Sequence, residues 1–255
     1  MAQAAQPVTV AGRVALVTGA GSGLGQAIAV RLGAAGVRVA VHYGSSAQGA
    51  AQTVAAVRAA GGEAIAIAAD LTDPAAAPRL VEEVTAALGR VEILVNNAAT
   101  TRFIPFEDLD SADDEVWTAL LRVNLLAPVA LARATFPAMV DAGWGRVLNV
   151  ASTSAFEPAG SSLPYAVSKS ALVSFTRGLA AVAPAGVAVS AVAPGWMDTP
   201  WTARHTGRTD AVVSAEVDVD EVARAAVELI GGTAGNGTVV VLDGGARWRR
   251  LQQGG

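Results

Sequence analysis

Tyr165 and Lys169 stand four residues apart in Tyr165-Ala166-Val167-Ser168-Lys169. On a helix that interval places a phenol and an ammonium on one face, a turn apart. Together they can act as an acid/base. A phenol with an ordinary pKa near ~10 is a poor base at neutral pH, and a cation beside it lowers that pKa. In a reduction the same phenol would give its proton to a developing alkoxide. An ordinary amphipathic helix can carry the same pair, so its meaning depends on what surrounds it.

A second chemical feature lies near the N-terminus. An apolar run ends in Thr18-Gly19-Ala20-Gly21-Ser22-Gly23-Leu24-Gly25, and a helical pattern follows at once. Such a turn can bring backbone N–H groups and a helix N-terminus up to a pyrophosphate. A Cβ at the closest positions would strike the phosphates or the strand-to-helix packing. Gly19, Ser22, Gly23, Leu24 and Gly25 are therefore candidate dinucleotide ligands. The next apolar run ends in His42-Tyr43-Gly44-Ser45-Ser46. NAD-specific folds place an acid there for the ribose 2′-hydroxyl. This chain has none, and His42, Tyr43, Ser45 and Ser46 could instead donate to a 2′-phosphate. That favours NADP(H) and leaves NAD(H) open. Ser45 or Ser46 could equally cap the helix that follows.

Positioning these groups requires a scaffold. Short β-type runs occur at Val14–Thr18, Val37–Tyr43, Ala64–Ala69, Val91–Asn96, Val147–Ala151, Val187–Val192 and Thr238–Leu242. They are continuously apolar, as in strands buried on both faces of a parallel sheet. Helical patterns lie between them. Leu24–Ala35 follows the glycine turn. Pro74–Leu88 has Asp73 as expected N-cap. Ser111–Val140 opens with Ser-x-x-Asp and should bend at Pro128 or Pro137; further helices start near Tyr165 and span Val219–Ile230. This alternation predicts one doubly wound α/β domain of Rossmann type over residues 13–245, with a parallel seven-stranded sheet and helices on both faces. Residues 1–12 read as a disordered or extended segment and 246–255 as a tail. The aperiodic stretch Gly195–Asp218 reads as a substrate lid.

Composition narrows the function. The chain has 255 residues, 52% of them hydrophobic and 16% charged, so it can bury a substantial core. A net charge of −4 without a basic run argues against nucleic acid. There is no cysteine, and two distant histidines offer no zinc spacing, so no metal is expected. No signal peptide is apparent, and no uninterrupted apolar run reaches the ~18 residues of a membrane helix. A cytoplasmic location is expected. Asn124 sits within an apolar helical stretch where asparagine is a poor former. Phe103, Phe156, Trp196, Met197 and Trp201 fall in loops above the sheet and are candidate pocket walls, which points to a hydrophobic or aromatic ketone or alcohol. Ser154 lies among them.

The spacing Gly19-x-x-x-Gly23-x-Gly25, followed by Asn96-Asn97-Ala98-Ala99, Ser152, Tyr165-x-x-x-Lys169 and Pro194-Gly195, resembles the short-chain dehydrogenase/reductase family from about Arg13 to Gly245. Ala99 departs from the family's usual Gly, and the lid is several residues short. The resemblance implies a hydride transfer between NADP(H) or NAD(H) and a carbonyl or secondary alcohol. It assigns Ser152, thirteen residues before Tyr165, to the substrate oxygen. It makes Asn124 the holder of a relay water and Lys169 a ribose ligand as well as the tyrosine's partner. It places Asp70 and Leu71 beside the adenine and Asn97 and Ala98 beside a ribose. Pro194, Gly195 and Thr199 fall at the nicotinamide. It implies a homotetramer or homodimer, built through Ser111–Val140 and the helix after Tyr165. The competing readings are a non-catalytic NADP-binding regulator or redox sensor, and an epimerase or dehydratase of nucleotide sugars, for which the chain looks short.

Overall fold

The central strands are apolar runs buried on both faces, whereas Glu63–Ala68 at the sheet edge alternates between buried and exposed positions and Val239–Leu242 at the other edge is half-buried, contrary to the expectation for them. The computed structural model describes residues 9–157, 160–206, 217–232 and 236–244. The strands are β1 (Val14–Val17), β2 (Arg38–Tyr43), β3 (Glu63–Ala68), β4 (Ile93–Asn96), β5 (Gly145–Val150), β6 (Val187–Pro194) and β7 (Val239–Leu242). All pair in parallel, in the order β3-β2-β1-β4-β5-β6-β7. The helices are α1 (Gly23–Ala34), α2 (Ala47–Ala59), α3 (Ala76–Leu88), α4 (Asp114–Leu121), α5 (Ala127–Asp141), α6 (Leu163–Val182), α7 (Pro200–Thr206) and α8 (Val219–Gly231).

Alternate side chains along β1 divide the core. Ala15 and Val17 join Ile28, Val57 and Val222 on the face covered by α1, α2 and α8. Val14 and Leu16 join Leu80, Leu131 and Met139 on the other face, under α3 and α5. This is the expected doubly wound sandwich. Strand order reverses between β1 and β4, and a crevice opens there at the strands' carboxyl ends.

The helix starts differ from expectation in two places. α3 begins at Ala76, because Asp73 accepts the amide of Ala75 at 2.9 Å and folds residues 73–75 into a turn ahead of it. Pro74 is thus outside the helix. Ser111 is not the start of its helix either: its amide donates to Asp108 at 3.0 Å, while Asp113 caps α4 by accepting from Val116 at 2.9 Å. Asp114–Asp141 runs on as one helical rod, with a π turn at Arg122–Leu126 and Pro128 just inside α5. That rod, with mean hydropathy 1.4, is long and apolar enough to cross a membrane by length and composition. It packs on α3, α6, β4 and β5, as a core helix does.

The N-terminal segment is tied down sooner than expected: Gly12 donates to Gly36 at 2.8 Å, and Arg13 donates to Val10 at 3.1 Å. The expected lid contains a helix, α7, opened by Pro200. Residues 1–8, 207–216 of the lid, and the tail 246–255 lie outside the described residues.

Candidate active site

The glycine turn is held by bonds that only its neighbours can supply. The Thr18 hydroxyl donates to Val95 and accepts the amides of Asn97 and Ala98, both at 3.0 Å. It thereby ties β1 to β4 across the switch point. Asn97 Nδ2 donates to the carbonyls of Thr18 and Gly19 at 2.8 and 3.1 Å. A Cβ on Gly25 would lie 2.5 Å from that nitrogen and 2.6 Å from the Gly19 carbonyl, so only glycine lets helix and turn close this tightly. Gly19 and Gly23 take φ of +62° and +55°. Ser22 stands at the N-cap of α1, yet its hydroxyl takes none of the helix amides, and the first turn holds no acid. Those free amides and the dipole behind them suit a pyrophosphate.

The adenosine side departs from expectation at His42. Its ring is 2% exposed, Nδ1 accepts from the Gly19 amide and Nε2 faces the Ala69 carbonyl, each at 3.1 Å. Burial holds its pKa below the ordinary 6.5, so the ring is neutral and has no donor left for a phosphate. His42, Tyr43, Ser45 and Ser46 all line the crevice, as do Asp70 and Leu71. The Asp70 carboxylate accepts the amide and hydroxyl of Thr72 at 2.9 and 2.7 Å, which holds it ionised below its usual range.

The reacting groups converge at β5 and α6. Ser162 caps α6, with its hydroxyl accepting the Tyr165 amide at 3.4 Å, and Pro164 follows in the first turn. Tyr165 and Lys169 share a face, and Lys169 Nζ lies 5.7 Å from the phenol ring centre. Nζ donates to the Val150 carbonyl at 2.9 Å at the end of β5. Burial drives both groups toward neutrality: Lys169 falls to about 8, and Tyr165 rises to about 12, although a hydrogen bond with Ser152 pulls it down. The expected lowering of the phenol by the ammonium is therefore outweighed by desolvation. Ser152 accepts the Ser154 amide and donates to its hydroxyl, both at 3.2 Å, which fixes the serine beside the phenol.

Asn124 stands in the π turn, as its poor fit to a regular helix suggested. Its side chain donates to the Thr100 carbonyl and the Ser168 hydroxyl, both at 3.0 Å, and accepts the Thr100 amide at 2.9 Å. Ser168 in turn donates to the Tyr165 carbonyl at 2.7 Å. The side chain is thus fully engaged by protein and 1% exposed, behind the crevice wall rather than in it, so it is not free to hold the relay water that the resemblance implied.

Beneath the site, Asn96 donates to Asn149 at 2.8 Å and Asn149 to Thr176 at 2.9 Å, linking β4, β5 and α6.

The crevice holds about 590 Å³. Gly19, Ser22, Gly23, Leu24, Gly25, Asn97, Ala98, Ser152, Ser154, Tyr165, Lys169, Pro194, Gly195 and Thr199 all line it, with Phe103, Trp196, Met197 and Trp201. Phe156 does not line it: it packs on Ala151, Val173 and Ala193. Phe103 meets Trp196 edge-on at 6.5 Å between ring centres, and Trp201 lies 6.5 Å from the Tyr165 ring. Trp201 Nε1 also donates to the Ala99 carbonyl at 3.1 Å, fastening α7 over the crevice. Sequence reasoning missed Thr202, Ser161 and Thr101, which reach the same space. For Thr202 the signal was its spacing from Thr199, whose hydroxyl accepts the Thr202 amide at 3.2 Å to start α7.

A parallel sheet with a dinucleotide cradle at its switch point and a buried Ser-Tyr-Lys set beside it defines a nicotinamide-dependent oxidoreductase. The family model for short chain dehydrogenase matches residues 13–209. Ketoacyl reductase 2 of the granaticin polyketide synthase of Streptomyces violaceoruber, so named, is 40% identical over 242 residues, 91% of this chain and 95% of its own. The 3-oxoacyl-acyl-carrier-protein reductase FabG of Escherichia coli K12 is 35% identical over 207 residues, 81% of this chain and 82% of its own. A crystal structure of an actinorhodin polyketide ketoreductase variant with NADPH superposes with a TM-score of 0.82 at 31% identity, covering 94% of this chain and 98% of that one. The chain belongs to the short-chain dehydrogenase family and is an NAD(P)-dependent oxidoreductase acting between a carbonyl and an alcohol.

Proposed function

We propose that the protein is an NADPH-dependent ketoreductase for a hydrophobic, aromatic ketone. The observation that carries this is the geometry at Tyr165: its phenol opens on the crevice with Ser152, and Lys169 shares its helix face with Nζ 5.7 Å from the ring centre. Phe103, Trp196 and Trp201 give the crevice aromatic walls above that phenol. Two relatives of similar length are named as polyketide ketoreductases, which supports the same substrate class. The acid-free end of β2 and a neighbour crystallised with NADPH support the reduced phosphorylated cofactor.

The pyrophosphate would be held by the turn from Gly21 to Leu24. By the family resemblance, Lys169 and Asn97 would flank the nicotinamide ribose, and Thr199 and Gly195, which line the same crevice, would hold the nicotinamide. Bound NADPH supplies the hydride. Ser152 and Tyr165 orient the carbonyl oxygen between two hydroxyls and stabilise the charge that develops on it. Tyr165 then gives up its proton. Lys169, at about 8, is matched to passing a replacement proton near neutral pH. The active form is a homotetramer or homodimer through α4–α5 and α6, where Leu126 and Val167 are 43% and 40% exposed. It works in the cytoplasm, where NADPH is drawn from a diffusible pool.

A spectrophotometric screen of aryl, bicyclic and open-chain ketones with NADPH and NADH in parallel tests the proposal. NADPH oxidation by aryl or bicyclic ketones is expected. Binding of NADPH without turnover on any ketone would favour the regulator reading instead.

A further inference from the structure

Nothing in the proposed reaction uses His42, yet its ring is deeply buried and both nitrogens are engaged. The Gly19 amide can only donate, and the Ala69 carbonyl can only accept. With each 3.1 Å from the ring, Nδ1 must carry the lone pair and Nε2 the proton. The tautomer is therefore dictated by backbone on both sides. The His42 carbonyl also accepts the Ala20 amide at 2.9 Å. One residue of β2 thus grips two consecutive amides of the glycine turn. Their carbonyls are gripped from elsewhere: Asn97 takes that of Gly19, and the Thr53 hydroxyl donates to that of Ala20 at 2.8 Å. With those groups satisfied from outside, the amides that follow are left to face the crevice.

We propose that His42 is a positioning residue for dinucleotide binding, whose neutral ring fixes the Gly19 amide and so the pitch of the turn that receives the pyrophosphate. The inference rests on the dinucleotide reading above. Replacing the ring by an apolar side chain leaves the Gly19 amide without its acceptor, and the turn can regain one only by moving.

NADPH titrated calorimetrically into the wild type and into His42→Leu, His42→Asn and His42→Gln tests this. Asparagine places an oxygen where Nδ1 lies, whereas glutamine reaches only the place of Nε2. His42→Leu and His42→Gln are expected to bind NADPH about tenfold more weakly, and His42→Asn within about threefold of wild type. The KM for NADPH should move more than kcat at saturating cofactor. If His42→Leu fails to fold, shown by its melting curve, the Asn and Gln pair carries the comparison. Leucine matching wild type, or glutamine binding as tightly as asparagine, would overturn the proposal. A wild-type chain that bound neither NADPH nor NADH would sink the dinucleotide reading itself, and this inference with it.

Discussion

At the scale of the residue, burial sets the chemistry of Tyr165 and Lys169 more than their mutual approach does. Tyr165→Phe removes the proton donor and keeps the ring, so turnover should fall by roughly 10²–10⁴ while NADPH affinity stays within a few-fold, as steady-state rates and a fluorescence titration would show. Lys169 is 2% exposed with its pKa lowered to about 8 from 10.5 by desolvation. The unfolded chain takes up this proton as pH falls below 10.5, and the folded chain only near 8. Stability is therefore full above 10.5, is lost across that window, and is lowest below 8, by about 3 kcal/mol. Lys169→Met should accordingly raise the melting temperature of the cofactor-free protein at pH 7, with the gain vanishing near pH 10.5, while turnover collapses. Tyr165 and Lys169 were legible in the sequence because helix periodicity puts them on one face, whereas Ser152 entered only through the family resemblance. The role of His42 was not: its partners are backbone atoms of Gly19 and Ala69, distant in sequence, which residue type alone does not reveal.

At the scale of the element, two irregularities do the positioning. The π turn lets Asn124 saturate both backbone groups of Thr100 and reach Ser168. Asn124→Ala strands a buried amide and a carbonyl together, and a urea titration should show a loss of about 2–4 kcal/mol. The glycine turn is as tight: Gly25→Ala drives a methyl against Asn97 and the Gly19 carbonyl, with an expected loss of about 1–3 kcal/mol and weaker NADPH binding. Asn124 announced its irregularity by being a poor helix former in an apolar run. The starts of α3 and α4 were misjudged because Asp73 and Asp108 first close short turns of their own, a local competition that an N-cap pattern does not display. Phe156 was misplaced for a related reason: a loop aromatic reads the same whether it faces the crevice or the back of β5 and β6.

At the scale of the molecule, the doubly wound parallel sheet followed from strand–helix alternation, since right-handed crossovers leave few ways to wind such a chain, while the strand order comes from the structure. The exposure of Leu126 and Val167, on which the proposed assembly rests, was less legible, because they look like any apolar helix residue until the fold shows their outward faces. Light scattering should report a dimer or tetramer for the wild type, and Leu126→Glu combined with Val167→Glu should lower the mass toward a monomer.

The end of β2 has a consequence for redesign. The grip on the glycine turn comes from His42, two residues earlier, and Gly44 itself has only the Ala69 carbonyl, 3.9 Å away, near the place a Cβ would take. A carboxylate can be grafted there without repacking. Gly44→Asp should exchange preference from the phosphorylated to the plain dinucleotide while the catalytic machinery is untouched, so that electron source and reaction can be edited as separate modules.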